Sequence, residues 1–213
     1  MMRLRTMLPE PLMIHRTVLL LGLAAAGAAQ AKDIKLQNPS FEEPATVHDV
    51  VSGWRALQHS GEDAYEFTTV GDIFAKGKRS FRLTRIKEQH YGALDQSLPA
   101  APMAGRKIEY RFQVRARDVG PGGFCPYVNL TSSTGDVLEQ IRGDLIVGTV
   151  DKWKTVSLTL TVPTDVQNVV IGMLLLDEGT VWADDVSLRT LDDPGTKPAA
   201  VPEKPKASKI FIP

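Results

Sequence analysis

"KIEYRFQVRARD", Lys107 to Asp118, is the stretch on which the fold turns. Ile108, Tyr110, Phe112, Val114 and Ala116 fall on one face of it, and Glu109, Arg111, Gln113 and Arg115 on the other. A period of two describes an extended strand with one side in a core and one in water. A second segment, "WKTVSLTLTVP" at Trp153 to Pro163, sets Val156, Leu158, Leu160 and Val162 opposite Thr155, Ser157, Thr159 and Thr161. Half-buried strands of this kind suit two antiparallel sheets packed face to face.

The flanking sequence has the same character. Further strands are expected at Ala64 to Val70, Ser80 to Arg85, Ala93 to Leu98, Tyr127 to Ser132, Val137 to Arg142, Asn168 to Leu176 and Val181 to Thr190. Gly71-Asp72, Gly77, Gly105, Gly120-Pro121-Gly122-Gly123, Gly135-Asp136, Pro163 and Asp177-Glu178-Gly179 mark turns between them. No amphipathic helix of convincing length lies between Lys32 and Leu191. "NVVIGMLLLD", from Asn168, is apolar on both faces and predicts a central strand covered on both sides. The expected domain is all-β, a two-sheet antiparallel sandwich spanning residues 32–192.

The ends read differently. Arg3, Arg5 and Arg16 precede an apolar run from Val18 to Ala26, and Ala29-Gln30-Ala31 follows. That order predicts a secretory signal peptide over residues 1–31, cleaved after Ala31, and a secreted or periplasmic protein. Met13 to Ala31 alone makes a compact signal; the alternative is a buried N-terminal helix. The run is too short to span a membrane, so no transmembrane segment is expected in the mature chain. Residues 193–213, rich in Pro, Lys and Ala, predict a disordered tail. Its closing "IFIP" is either a frayed end or a short docking peptide.

Cleavage would leave 22 basic and 24 acidic residues, a formal charge of −2. That balance gives no support to nucleic acid as a partner. Cys125 is the only cysteine, so there is no internal disulfide. It reads as a small packed side chain rather than a nucleophile. There is no G-x-S-x-G elbow, and His48, His59 and His90 lack H-E-x-x-H spacing. Composition alone does not dispose of a two-carboxylate glycosidase, but no catalytic motif stands out and no enzyme is expected.

Six pieces now fall into order: "NPSFEE" (Asn38 to Glu43), Gly53-Trp54, "GKRSFRL" (Gly77 to Leu83), Gln96, "WKTVSLTLTVP", and "VWADDVSL" within "GTVWADDVSL" (Gly179 to Leu188). Together they resemble carbohydrate-binding modules of the family 4/9 type. The resemblance implies a galactose-binding-like jelly roll, with "NPSFEE" as its first strand and "VWADDVSL" as its last. It also implies binding of a polysaccharide or glycan without catalysis, and a structural calcium ion (Ca2+). Carried over by motif position, Glu42 and Asp184 are the carboxylate ligands, with backbone oxygens near Lys78 and Ser80. Glu43 and Asp185 make each carboxylate one of a pair, and pairs in apolar segments repel if uncompensated. The alternative is that Asp184 and Asp185 face solvent at a strand end.

Sugars need aromatic platforms and planar polar side chains. Tyr91, between His90 and Gly92, is the expected exposed aromatic. Tyr127 and Asn129 alternate with apolar neighbours and are expected to line an open sheet face together with Arg111, Gln113 and Arg115. The alternative is that this face is simply hydrated. It is rich in Arg and poor in Trp, which suits an acidic glycan better than a neutral crystalline one. The competing non-catalytic reading is a protein-interaction or envelope domain that reuses the fold, with a protein partner.

Overall fold

The computed structural model describes residues 31–47 and 49–191. Most of the expected signal peptide and the expected tail lie outside these residues. Ten strands follow in order: β1 Lys32–Asp33, β2 Arg55–Gln58, β3 Tyr65–Val70, β4 Ser80–Arg85, β5 Gly92–Pro99, β6 Lys107–Thr131, β7 Val137–Arg142, β8 Ile146–Thr161, β9 Asn168–Leu175 and β10 Thr180–Thr190. All pairings between them are antiparallel. No described segment is a helix long and apolar enough to cross a membrane.

The architecture depends on β6. Its first half, Lys107 to Arg117, pairs with β10 on one side and β8 on the other. Its second half, Phe124 to Thr131, pairs with β9 and β7. The first sheet therefore runs β3-β4-β10-β6-β8, and the second β2-β5-β9-β6-β7. Gly120-Pro121-Gly122-Gly123, expected to be a turn, is instead a corner. The ladder with β8 slips at Val114, Ala116 and Val119, and Asp118 (φ 52°) and Gly123 (φ 78°) adopt left-handed backbone. Bulges of this kind bend a strand without ending it, which lets one strand serve both sheets.

The two inner faces meet in one apolar cluster. Phe81 and Leu83 of β4, Tyr110 and Phe112 of β6, and Val181 and Leu188 of β10 pack with Leu94 of β5 and Ile171 and Met173 of β9. The alternation expected at Lys107 holds: Ile108, Tyr110, Phe112, Val114 and Ala116 are buried. β9 is central in its sheet and buried from Val169 to Leu175, as its two-sided apolar sequence predicts.

"NPSFEE" forms a turn rather than the expected first strand. Asn38 (φ 41°) and Phe41 (φ 54°) are left-handed, and Asn38 Oδ1 accepts the N–H of Glu43. Its link to Gly53-Trp54 is direct, because Trp54 Nε1 donates to the Asn38 carbonyl at 3.1 Å and its ring packs on Phe41. Gln96 fastens this segment to β5, accepting the Gln37 N–H and donating to the Gln37 and Gly53 carbonyls.

Candidate ligand-binding face

The outer face of the second sheet is crossed by a register row of five residues, one from each strand. Arg55 pairs with Asp95, Asp95 with Gly172, Gly172 with Tyr127, and Tyr127 with Arg142. Gly172 permits the rest of the arrangement. A Cβ there would lie 2.5 Å from Tyr127 Cε1 and Cζ, so the absence of a side chain lets the ring lie across β9. The ring spans that strand, and its hydroxyl donates to Asp95 Oδ2 at 2.8 Å. From the other side Arg55 donates to both Asp95 oxygens, at 2.9 Å each. Asp95 is 2% exposed, and a buried carboxylate is costly unless charge-assisted hydrogen bonds meet it. Burial, reinforced by the charge of Asp95, holds the Tyr127 hydroxyl far above its ordinary range, so it stays a donor. The hydrogen bond to Asp95 likewise holds the Arg55 guanidinium in its charged form.

On one side of this row lies an apolar one: Leu57, Ala93, Leu174 and Cys125, with Tyr91 and Leu176 packed beside it. Cys125 is fully buried there, and burial pushes its thiol up. On the other side lie Asn129 and Gln140, where Gln140 Nε2 donates to Asn129 Oδ1 and Arg142 Nε donates to Gln140 Oε1. Between the two sides runs a groove of about 310 Å3. A second hollow of about 530 Å3, lined by Trp54, Val50 and Ser97, shares Arg55 and Asp95 with it. The whole is a trough with an apolar side, a polar side and fixed hydrogen-bonding groups between them.

The six residues expected to bind ligand, five of them on one sheet face, are divided between two faces. Tyr91, Tyr127 and Asn129 line the groove. Arg111, Gln113 and Arg115 lie on the outer face of the first sheet, beside Ser187, Asp184 and Trp182 of β10. The expectation treated the two halves of β6 as neighbouring strands of one sheet, and the corner at residues 118–123 separates them. Tyr127 is also no open platform. It is 4% exposed and braces Asp95, which leaves half-buried Tyr91 as the accessible ring.

Glu42, Lys78, Ser80 and Asp184 do meet, around the loop between β3 and β4. Glu42 Oε1 accepts the N–H groups of Lys78 and Arg79 at 2.8 and 3.0 Å. Asp184 Oδ2 accepts those of Ala75 and Lys76 at 2.8 and 2.9 Å, and its Oδ1 accepts that of Asp185. Ser80 Oγ donates to the Ile73 carbonyl. Gly77 turns the loop with φ 73°, and its missing Cβ is the space Glu42 Oε1 occupies. Burial raises the Asp184 carboxyl, and the three amides counter that rise. Calcium needs six or more converging oxygens. The groups facing these two carboxylates are N–H donors, Lys78 among them, so this donor set does not fit a calcium shell.

Arg55, Asp95, Gly172, Gln140 and Arg142 were not anticipated. Asp95 had a signal: it is a lone acid in "GALDQSL", a strand buried from Gly92 to Gln96. An acid there needs a basic partner, but only the register of β2 identifies it as Arg55.

No family model matches the sequence, and no curated protein matches it either. Solved structures do. The xylan-binding domain CBM22-1 of Xyn10C from Paenibacillus barcinonensis is 17% identical, with a TM-score of 0.53 over 79% of this chain and 99% of that one. The tandem CBM22-1-CBM22-2 of the same protein gives 16% identity and a TM-score of 0.55, over 82% of this chain and 50% of that one. The enzymatically active domain of tailspike protein 4 from bacteriophage CBA120 gives 17% identity and a TM-score of 0.56 over 73% of this chain. The chain spans about a fifth of that domain's length, 21%. At such identities the likeness establishes the fold: a jelly-roll sandwich of the kind found in carbohydrate-binding modules.

Proposed function

We propose that this chain is an exported, non-catalytic carbohydrate-binding domain whose ligand, a polysaccharide chain or oligosaccharide, lies in the groove of the second sheet. The observation behind this reading is the Arg55–Asp95–Tyr127 network on the groove floor. It is fixed before any ligand arrives, so little ordering cost falls on binding. Tyr91 and Leu57 offer apolar contact to a sugar ring, while Asn129, Gln140 and Arg142 offer planar groups to hydroxyls. The xylan-binding domain of the same fold adds support. Export rests on the basic and apolar pattern of residues 3–31. The non-catalytic reading rests on carboxylates. Glycoside hydrolysis uses two across a cleft, and Asp95, the one carboxylate lining this groove among the described residues, is engaged by Arg55 and Tyr127.

A glycan array on the full chain tests the proposal, with Tyr91→Ala and Arg142→Ala as variants. Affinity should be modest, with a Kd between roughly micromolar and millimolar, because sugar hydroxyls exchange water for protein bonds at small net gain. Each variant should weaken binding by about tenfold, the effect of roughly 1.4 kcal/mol. Binding untouched by both changes would remove the groove. Capture of a protein with no glycan bound would favour an interaction domain, and release of reducing sugar would overturn the non-catalytic reading.

A further inference from the structure

The outer face of the first sheet lies away from the groove and carries a row of arginines. Arg111, Arg115 and Arg117 project from the same side of β6, the last two about 7 Å apart at strand spacing. The two other arginines of this face are matched. Arg82 meets Glu66 at 2.7 Å, and Arg189 meets Glu109 at 2.6 Å. Arg111, Arg115 and Arg117 have no carboxylate within ion-pair distance among the described residues. On the β10 side the acids nearest in register are already committed, and on the β8 side the exposed Asp151, between the partners of Val114 and Ala116, makes no ion pair with these arginines. Asp184, beside Gln113, is fully buried under three amides, and Asp185 holds Lys76. Arg117 lies over the Trp182 ring, 5.3 Å from its centroid, and Trp182 is the register neighbour of Arg115.

Unmatched like charges along one strand face repel, and folding gains nothing from them. A flat guanidinium resting on an indole is held with its N–H edge free, the geometry that suits a carboxylate. Gln113, between Arg111 and Arg115 along β6, adds an amide fixed by its bond to Thr155 Oγ1 at 2.8 Å.

We propose that this face is a second binding site, for a linear polysaccharide bearing carboxylates along its length. It is independent of the groove. Nucleic acid suits it less well. A chain of zero formal net charge has no overall field to gather so dense a polyanion, and Trp182, 6% exposed, offers no platform to a base.

The test is affinity electrophoresis of the full chain through polygalacturonate, through its fully methyl-esterified form, and with duplex DNA as competitor. The native chain should be retarded by the acid polymer, less so as salt rises from about 0.05 to 0.5 M, where screening becomes short-ranged. The esterified polymer should bind at least tenfold more weakly. Replacing Arg111, Arg115 and Arg117 by Gln together should weaken binding by about tenfold, the sum of three exposed ion pairs. The single Arg→Gln changes should each give part of that loss, which keeps the test open if the triple variant misfolds. Lys32→Gln, Lys35→Gln and Lys87→Gln together remove equal charge elsewhere and should leave retardation unchanged. No retardation at low salt, equal binding of the esterified polymer, equal loss in the lysine control, or tighter binding of DNA would each overturn the proposal.

Discussion

Gly172→Ala is the most direct test of the groove floor. The φ of Gly172 is not in the left-handed region, so the backbone accepts alanine. In a strand, Gly→Ala alone would even stabilise by roughly 0.5–1 kcal/mol. The obstacle is the Tyr127 ring. The new methyl would lie 2.5 Å from Cε1 and Cζ and 2.8 Å from the hydroxyl oxygen. The ring is wedged among Ala93, Cys125 and Leu174, so it must tilt into the groove. Overpacking of this kind costs about 1–3 kcal/mol. The tilt also breaks the 2.8 Å bond to Asp95, a further loss of about 1.5 kcal/mol for a charged acceptor that keeps its Arg55 partner. The expected loss is about 2–4 kcal/mol, measured by urea unfolding followed through tryptophan fluorescence. The ring displaced into a groove of about 310 Å3 should also abolish glycan binding. The decisive measurement is a double-mutant cycle. In a Tyr127→Ala background, Gly172→Ala should cost nothing or stabilise slightly. If it costs the same in both backgrounds, the ring is not what the glycine accommodates, and the reasoning about the floor fails.

What the sequence made legible was local. The alternation in Lys107 to Asp118 identifies inner and outer residues, and the inner five are all buried. Ser80–Arg85 and Val137–Arg142 begin and end where their β-branched and polar boundaries place them. The site was less legible because it is built from register. Arg55 lies 40 residues from Asp95, and Tyr127 32 residues from it; nothing within one strand announces either partner. The Gly120 to Gly123 cluster misleads for a related reason. Glycine and proline mark a change of direction, but their local conformation does not say whether the chain reverses or bends around an edge. That one distinction decides whether Arg111 and Tyr127 share a surface. The acidic pairs are the mirror case. The acidic residues stood out by type, but not the amide N–H groups of the Ala75 to Arg79 loop that they accept, because a backbone donor leaves no trace in residue type.

Two further outcomes follow from named carboxylates. Asp177 accepts the N–H groups of Gly122 and Glu178, both at 2.8 Å, and these, ahead of Arg85, hold its carboxyl below the ordinary 3.8. A depressed folded value contributes stability above the unfolded value that is lost as pH falls through the folded one, so Asp177→Asn should be less stable at pH 7 and the gap should close in acid; a gap that persists or widens under acid would refute this. Calcium is the other case. An ion that binds only the native state raises the melting temperature with its concentration, and both oxygens of Asp184 and Oε1 of Glu42 already accept amide N–H groups. Thermal melts with excess chelator and with millimolar calcium should therefore coincide, while Asp184→Asn should lower the melting temperature equally in both, since it weakens the hold on Ala75 and Lys76 whether or not calcium is present. A calcium-dependent rise that Asp184→Asn abolishes would mean that the loop yields its carboxylates to the ion, and the calcium shell implied by the sequence resemblance would then be the correct account of this corner of the sandwich.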